Sequence, residues 1–210
     1  MGRTKADTTH IAAAAEWRLI GLLLERPRCG WHEEVARLSR EVHDRPLRAA
    51  AAAARDAGEG DYLHLLGPGG LVSPRAVTYQ PFADPGQLLA ELATVYDAFA
   101  FRPHAEEPID HIAVEVAFVS YLLLKEAFAT ARGDDEAAAT TADARQGFIE
   151  THLATLAGMF VERLEHAGPS YLLPVAQLLA TRLPALRSAQ RLPFADAAAI
   201  CGACGGADVS

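Results

Sequence analysis

Residues 110–132, DHIAVEVAFVSYLLLKEAFATAR, constrain this chain more than any other stretch. The first half alternates Ile112, Val114, Val116 and Phe118 in the manner of a strand. Its length, and the run SYLLLKEAFATA behind it, argue instead for a helix from Asp110 to about Arg132. The neighbouring segments fall in with a helical reading. Residues 10–26 carry Ile11, Trp17, Leu19, Ile20, Leu22, Leu23 and Leu24, dense enough for a well-buried helix that ends before Pro27. GWHEEVARLSREVHD continues as an amphipathic helix, with Val35, Leu38 and Val42 spaced by three and four. LRAAAAAARDAGEGDYLHLL predicts an alanine-rich helix, a glycine break and a short segment, and residues 67–81, with three prolines and three glycines, predict a loop.

Asp84 is placed to cap the next helix, with Pro85 at the first helical position and Gln87 completing a capping box. Leu88, Leu89, Leu92, Val95, Tyr96 and Phe99 form its apolar stripe. Beyond Arg132, Asp134 or Asp135 caps a segment whose stripe runs through Phe148, Ile149, Leu153, Leu156, Phe160 and Leu164 to a stop at Gly168 and Pro169. PVAQLLATRLPAL opens a last helix at Pro174 and closes it at Pro184. Abundant alanine and leucine and only 7% aromatic residues agree with an all-α class. The expectation is a single multi-helix globular domain over residues 11–190, with a connector near 102–109 between two helical halves. Residues 1–10 are expected to be a flexible N-terminus, and residues 191–210 a flexible tail.

Charge excludes some partners. Residues 104–167 hold twelve Asp and Glu against four Lys and Arg, which accounts for the whole net charge of −8, and the remainder cancels. Nucleic acid is excluded as a partner, because phosphate binding needs the opposite sign; a basic peptide would be steered toward the acidic third. No stretch reaches the roughly 20 apolar residues of a membrane span. The run IAAAAEWRLIGLLLE is interrupted by Glu16 and Arg18, unlike a signal-peptide core. Three cysteines do not make a disulfide scaffold, and the cytoplasm is the expected compartment.

The ionisable chemistry concentrates in EEPIDHIAVE, residues 106–115. His111 and Glu115 share one helix face, and Asp110 stands where helix N-terminal N–H groups favour a carboxylate. A purely structural account has Asp110 as the cap, Pro108 ahead of it, and Glu115 paired with His111 or an arginine. A metal centre would need a third ligand, and none follows at helical spacing; HEEV at 32 lacks the second histidine of a zinc helix. Cys201 and Cys204 form a CxxC in the tail, half of a four-thiolate zinc set, a redox pair, or a pair with no function. GPGG at 67–70 lacks the lysine of a phosphate loop, no serine has a nucleophile-elbow setting, and His152 reads as a core or rim histidine. No catalytic constellation and no cofactor site emerges. The rivals to a binding protein are a small helical enzyme using His111, Glu115, Cys201 and Cys204 with a metal or thiols, and a permanent subunit of a redox complex.

Three stretches in order carry a resemblance. LLGPGGLVSPRAVTY supplies Gly67, Pro68, Ser73, Pro74 and Tyr79; EEPIDHIAVE supplies Glu107, Pro108, Asp110, His111 and Glu115; FIETHLATLAGMF supplies Phe148, His152, Leu153 and Phe160. With the leucine-rich first helix included, residues 12–185 resemble the TorD/DmsD/NarJ family of cytoplasmic chaperones for molybdenum oxidoreductases. Leu156 stands where that pattern commonly has tryptophan, and the CxxC lies outside it. The resemblance implies an all-helical chaperone, monomeric or dimeric and without a cofactor. It would bind the twin-arginine signal or equivalent N-terminal segment of a molybdopterin-dependent catalytic subunit before cofactor insertion and export. The mouth of the 110–132 helix would then be a docking rim. Glu107, Asp110 and Glu115 would attract guanidinium groups, Tyr79, Phe118 and Tyr121 would offer apolar contacts, and Pro108, His111 and His152 would complete it.

Overall fold

The computed structural model describes residues 2–80, 84–103 and 107–184, and every regular element among them is helical. In chain order these are α1 (Gly2–Leu24), α2 (Trp31–Glu41), α3 (Arg45–Ala53), α4 (Glu59–Leu66), α5 (Pro85–Ala98), α6 (Ile112–Arg132), α7 (Asp135–Phe148), α8 (Ala154–Ala167) and α9 (Leu172–Thr181). Short 3-10 turns occupy Ala54–Asp56 and Ala76–Tyr79, and a π turn over Ile149–Leu153 joins α7 directly to α8. Helix α1 begins at Gly2, earlier than expected, because TKADTTHIAAAA contains no residue that stops a helix. The CxxC of Cys201 and Cys204, and the rest of the chain from 185, lie outside the described residues.

Helix α6 is the axis of the fold. Its first half is buried on nearly every side: Ile112, Ala113, Val114, Glu115, Val116, Phe118 and Val119 are all inside, and between residues 112 and 119 only Ala117 is partly exposed. That is why the sequence there shows no period of 3.6. A helix wrapped all round has no polar face to display. On one side α1 runs antiparallel to it. Gly21 lies against Ala113, Val116 and Ala117, Ser120 Oγ donates to the carbonyl of Ala14 at 2.8 Å, and His10 faces Glu126. On another side Phe118 joins Tyr96, Phe101 and Phe148 in an aromatic cluster with ring centroids 4.8, 5.2 and 4.9 Å away. This cluster holds α5 and α7 to α6.

The helix ends follow local chemistry. Asp84 accepts from the N–H groups of Gly86 and Gln87, with Pro85 inside the first turn. The capping box is only half formed, because the Gln87 amide turns to Glu91 at 2.9 Å. Asp44 and Asp134 cap α3 and α7 in the same way, and α6 ends at Gly133 with a left-handed φ of 76°. GPGG terminates α4: a Cβ at Gly67 would sit 2.4 Å from the carbonyl oxygen of Leu63. Only a residue without a side chain lets the loop double back there, where Val72 N–H reaches Leu65 O at 2.8 Å.

Candidate functional site

The acidic mouth of α6 turns inward rather than outward. Asp110 is completely buried. Its Oδ1 accepts from Arg75 Nε at 2.9 Å and lies 2.8 Å from a terminal nitrogen of the same guanidinium, and its Oδ2 accepts from Val77 N–H at 3.3 Å. Two backbone bonds reinforce the pair, Ala76 N–H to Asp110 O and Ile112 N–H to Pro74 O, both at 2.9 Å. The residues SPRAVTY are thus clamped onto the start of α6. Within that loop Tyr79 is nearly buried, and its hydroxyl donates to Ser73 O at 2.6 Å. Asp110 is not the helix cap expected from its position; it is the anchor of the loop.

His111 takes the cap. Its Nδ1 accepts from Ala113 N–H at 3.1 Å, so the ring proton resides on Nε2, 3.1 Å from the Tyr62 hydroxyl. Tyr62 in turn donates to the carbonyl of Leu24 at 3.3 Å. One uninterrupted chain of hydrogen bonds therefore ties the start of α6 to α4 and to the last turn of α1. Burial lowers the His111 pKa to about 4, with the raising influence of Asp110 only partly opposing it, so the imidazole is neutral at physiological pH. Tyr62→Phe is expected to cost about 1–2 kcal/mol in urea unfolding, because the His111 N–H loses its acceptor inside the protein.

Glu115 is also fully buried, and neither carboxylate oxygen has a hydrogen-bond partner among the described residues. It pairs with neither His111 nor an arginine, contrary to expectation. Burial, and then the charge of Asp110, hold its pKa well above the ordinary carboxyl range. Phe118 is wholly inside the aromatic cluster. Of the residues expected at a rim, Asp110, His111, Glu115 and Phe118 are interior framework and Tyr79 is nearly so, because the wrapping of α6 by other helices leaves them no solvent face.

The remaining four stay accessible. Pro108 is exposed, Glu107 and Tyr121 are half-buried, and half-buried His152 lies on the π turn beside Phe148, where burial lowers its pKa. Glu107 and Tyr121 come together in a groove of about 610 Å³ between the end of α1, the start of α2 and the outer face of α6. Pro108 and His152 do not line it. Leu22, Trp31, Phe101, Ala117 and Leu124 give the groove its apolar surface, and Trp31 is fixed by its indole N–H donating to Leu22 O at 2.7 Å.

The charged end of the groove is mixed, not purely acidic. Arg18 donates to Glu25 at 2.6 Å and to Glu34 at 3.0 Å, and Arg28 stands 3.5 Å from Glu107. Burial pushes the Glu25 carboxyl up; Arg18 opposes this, while Glu34 and Glu107 add to it. For Arg18, burial works against the charge, and the two carboxylates outweigh it. Sequence reading missed Arg18, Glu25, Glu34 and Trp31 here. The signal for Arg18 was present in α1, where Ile11, Ala15, Arg18 and Leu22 recur at i, i+4, i+7 and i+11, placing one arginine on an otherwise apolar stripe.

Exposed apolar surface continues from this groove. Leu124 is 48% and Phe128 62% exposed on α6, and Ile11 is 53% exposed on the α1 stripe that also carries Arg18 and Leu22. Leu124 lines the groove beside Ala117 and Tyr121; Phe128 follows it by one turn on α6, and Ile11 precedes Arg18 and Leu22 at helical spacing on α1. Among the described residues no three His, Cys, Asp or Glu side chains converge as metal ligands, and no helix is long and apolar enough to cross a membrane.

No curated protein and no solved structure matches the chain. A family profile described as nitrate reductase delta subunit matches residues 30–162, which span α2 to most of α8 and include both the loop-to-helix clamp and Glu107 and Tyr121 of the groove. The chain therefore belongs to the nitrate reductase delta subunit family, the NarJ/TorD-like group of chaperones for molybdoenzyme maturation.

Proposed function

We propose that this chaperone binds the cationic N-terminal segment of a molybdoenzyme catalytic subunit, a twin-arginine signal or its equivalent, in the cytoplasm before cofactor insertion. The observation that carries this reading is a glutamate-bearing groove lined by exposed Leu124, with exposed Phe128 one turn beyond it on the same face of α6. A peptide with arginines ahead of an apolar run matches that order. Its guanidinium groups meet Glu25, Glu34 and Glu107, and its apolar part lies along that face of α6. Incoming arginines would take the places now held by Arg18 and Arg28. Partly exposed pairs are worth roughly 0–1 kcal/mol each, so this exchange is nearly neutral and sets register, while apolar burial supplies most of the affinity.

Calorimetric titration with a synthetic peptide carrying two arginines before a leucine- and alanine-rich run tests this. Leu124→Glu combined with Phe128→Glu is expected to weaken binding at least about tenfold with little change in melting temperature, since both side chains are exposed. Unchanged affinity in the folded double variant would remove that face of α6 from the interface.

A further inference from the structure

A second groove, of about 930 Å³, lies between α2 and α3, on the far side of Trp31 from the first. Its floor is buried Trp31 and Val35 from α2 with Ala51 and Ala54, and its walls are small side chains, Ala36 and Ser39 from α2 and Ala49 and Ala52 from α3. Its border carries Arg45, Arg48 and Arg55, all exposed, with Glu33 as the single acid. None of the ion pairs among the described residues involves these three arginines. Arg37 and Arg40 on α2 are likewise exposed and without an ion pair, whereas the more enclosed Arg18, Arg75, Arg145 and Arg182 each meet a carboxylate.

We propose that this groove docks an acidic amphipathic helix of a partner protein. The net charge of −8 resides in residues 104–167 and the rest of the chain is balanced, so three unpaired guanidinium groups along one groove leave its border locally positive. They call for carboxylates, while the overall charge works against a long polyanion such as nucleic acid. Their arrangement specifies a rod rather than a compact anion. Arg45 and Arg48 are one helical turn apart on α3, and Arg55 follows in the 3-10 turn Ala54–Asp56 that extends it, about 16 Å along from Arg45 at the two helical rises. A single phosphate group cannot span that distance, whereas glutamates at i, i+3 and i+10 of a helix can. The small side chains of the walls let such a helix approach the backbones of α2 and α3 closely, with its apolar face inward and its carboxylates on the arginine border. The site is separate from the groove assigned to the client's cationic segment and takes a ligand of opposite charge.

The test uses the full chain and a fluorescein-labelled, helix-forming peptide with glutamates at those spacings and alanine and leucine between them, read by fluorescence anisotropy. Saturable binding is expected in low salt. Arg45→Glu/Arg48→Glu/Arg55→Glu is expected to weaken it at least tenfold, with an unchanged melting curve because all three side chains are on the surface. Ala52→Trp, which fills the groove without altering charge, is expected to weaken it comparably. Absence of saturable binding overturns the proposal. So does full affinity in the Ala52→Trp variant, which would mean that the arginines attract anions without seating a helix. Displacement of the peptide by pyrophosphate at equal concentration would also overturn it, showing a phosphate site instead.

Discussion

Asp110→Ala is expected to lower unfolding stability by about 3 kcal/mol. The carboxylate receives Arg75 and the Val77 N–H, and it is entirely shielded from water. Truncation frees the guanidinium to turn toward solvent, since that side chain is 39% exposed, but leaves the Val77 N–H without its acceptor and unpins the loop over 73–79 from α6. Urea denaturation monitored by circular dichroism measures the loss. If Asp110 were instead a docking acid, the same substitution would leave stability intact and weaken peptide binding. The two outcomes are opposite, so one pair of measurements decides. Binding per folded molecule is expected to be unchanged.

The second large effect concerns pH. Glu115 takes up its proton far more readily in the folded protein than in the unfolded chain. Between the ordinary glutamate value of 4.5 and its raised folded value, the folded state therefore holds one proton more, and stability falls by about 1.4 kcal/mol for each pH unit gained. His111 works the other way. Its pKa is about 4 when folded against 6.5 ordinarily, so within that window the unfolded chain holds the extra proton and stability rises with pH. The slopes oppose each other wherever the Glu115 window, opening at 4.5, overlaps the histidine window, and the wild-type profile is expected to be flatter there than either group alone would make it. Glu115→Gln removes one slope. Its stability is expected to climb by about 1.4 kcal/mol per unit through the histidine window and to exceed that of the wild type above pH 7. A flat profile in the variant would show that the imidazole is not held neutral. A variant profile no different from that of the wild type would show that Glu115 is not a buried acid that takes up its proton on folding.

These two residues also show where sequence reading stops. At the start of α6, Asp110, His111 and Glu115 look in the sequence like a reactive cluster, because ionisable side chains at helical spacing usually face water together. Asp110 and His111 instead serve the packing. One pins a loop 35 positions earlier in the chain, the other closes a hydrogen-bond chain to Tyr62, 49 positions away. No periodicity in a single helix reports partners that distant. Glu107 and Tyr121, by contrast, do reach a groove, and only the docking of α1 and α2 against α6 reveals it.

What the amino-acid order determined was local. Prolines, glycines and capping aspartates placed the helix ends at Asp84, Gly133 and Gly168, and the density of leucine and alanine made the class all-α, since capping and propensity act within a few residues. The motifs of the family were equally legible, being short and linear. Tertiary structure alone decided which charges are buried, because desolvation depends on every helix packed around a side chain. It likewise decided that Arg18 and Glu34, sixteen residues apart, meet beside Leu22 while Arg45, Arg48 and Arg55 meet no carboxylate.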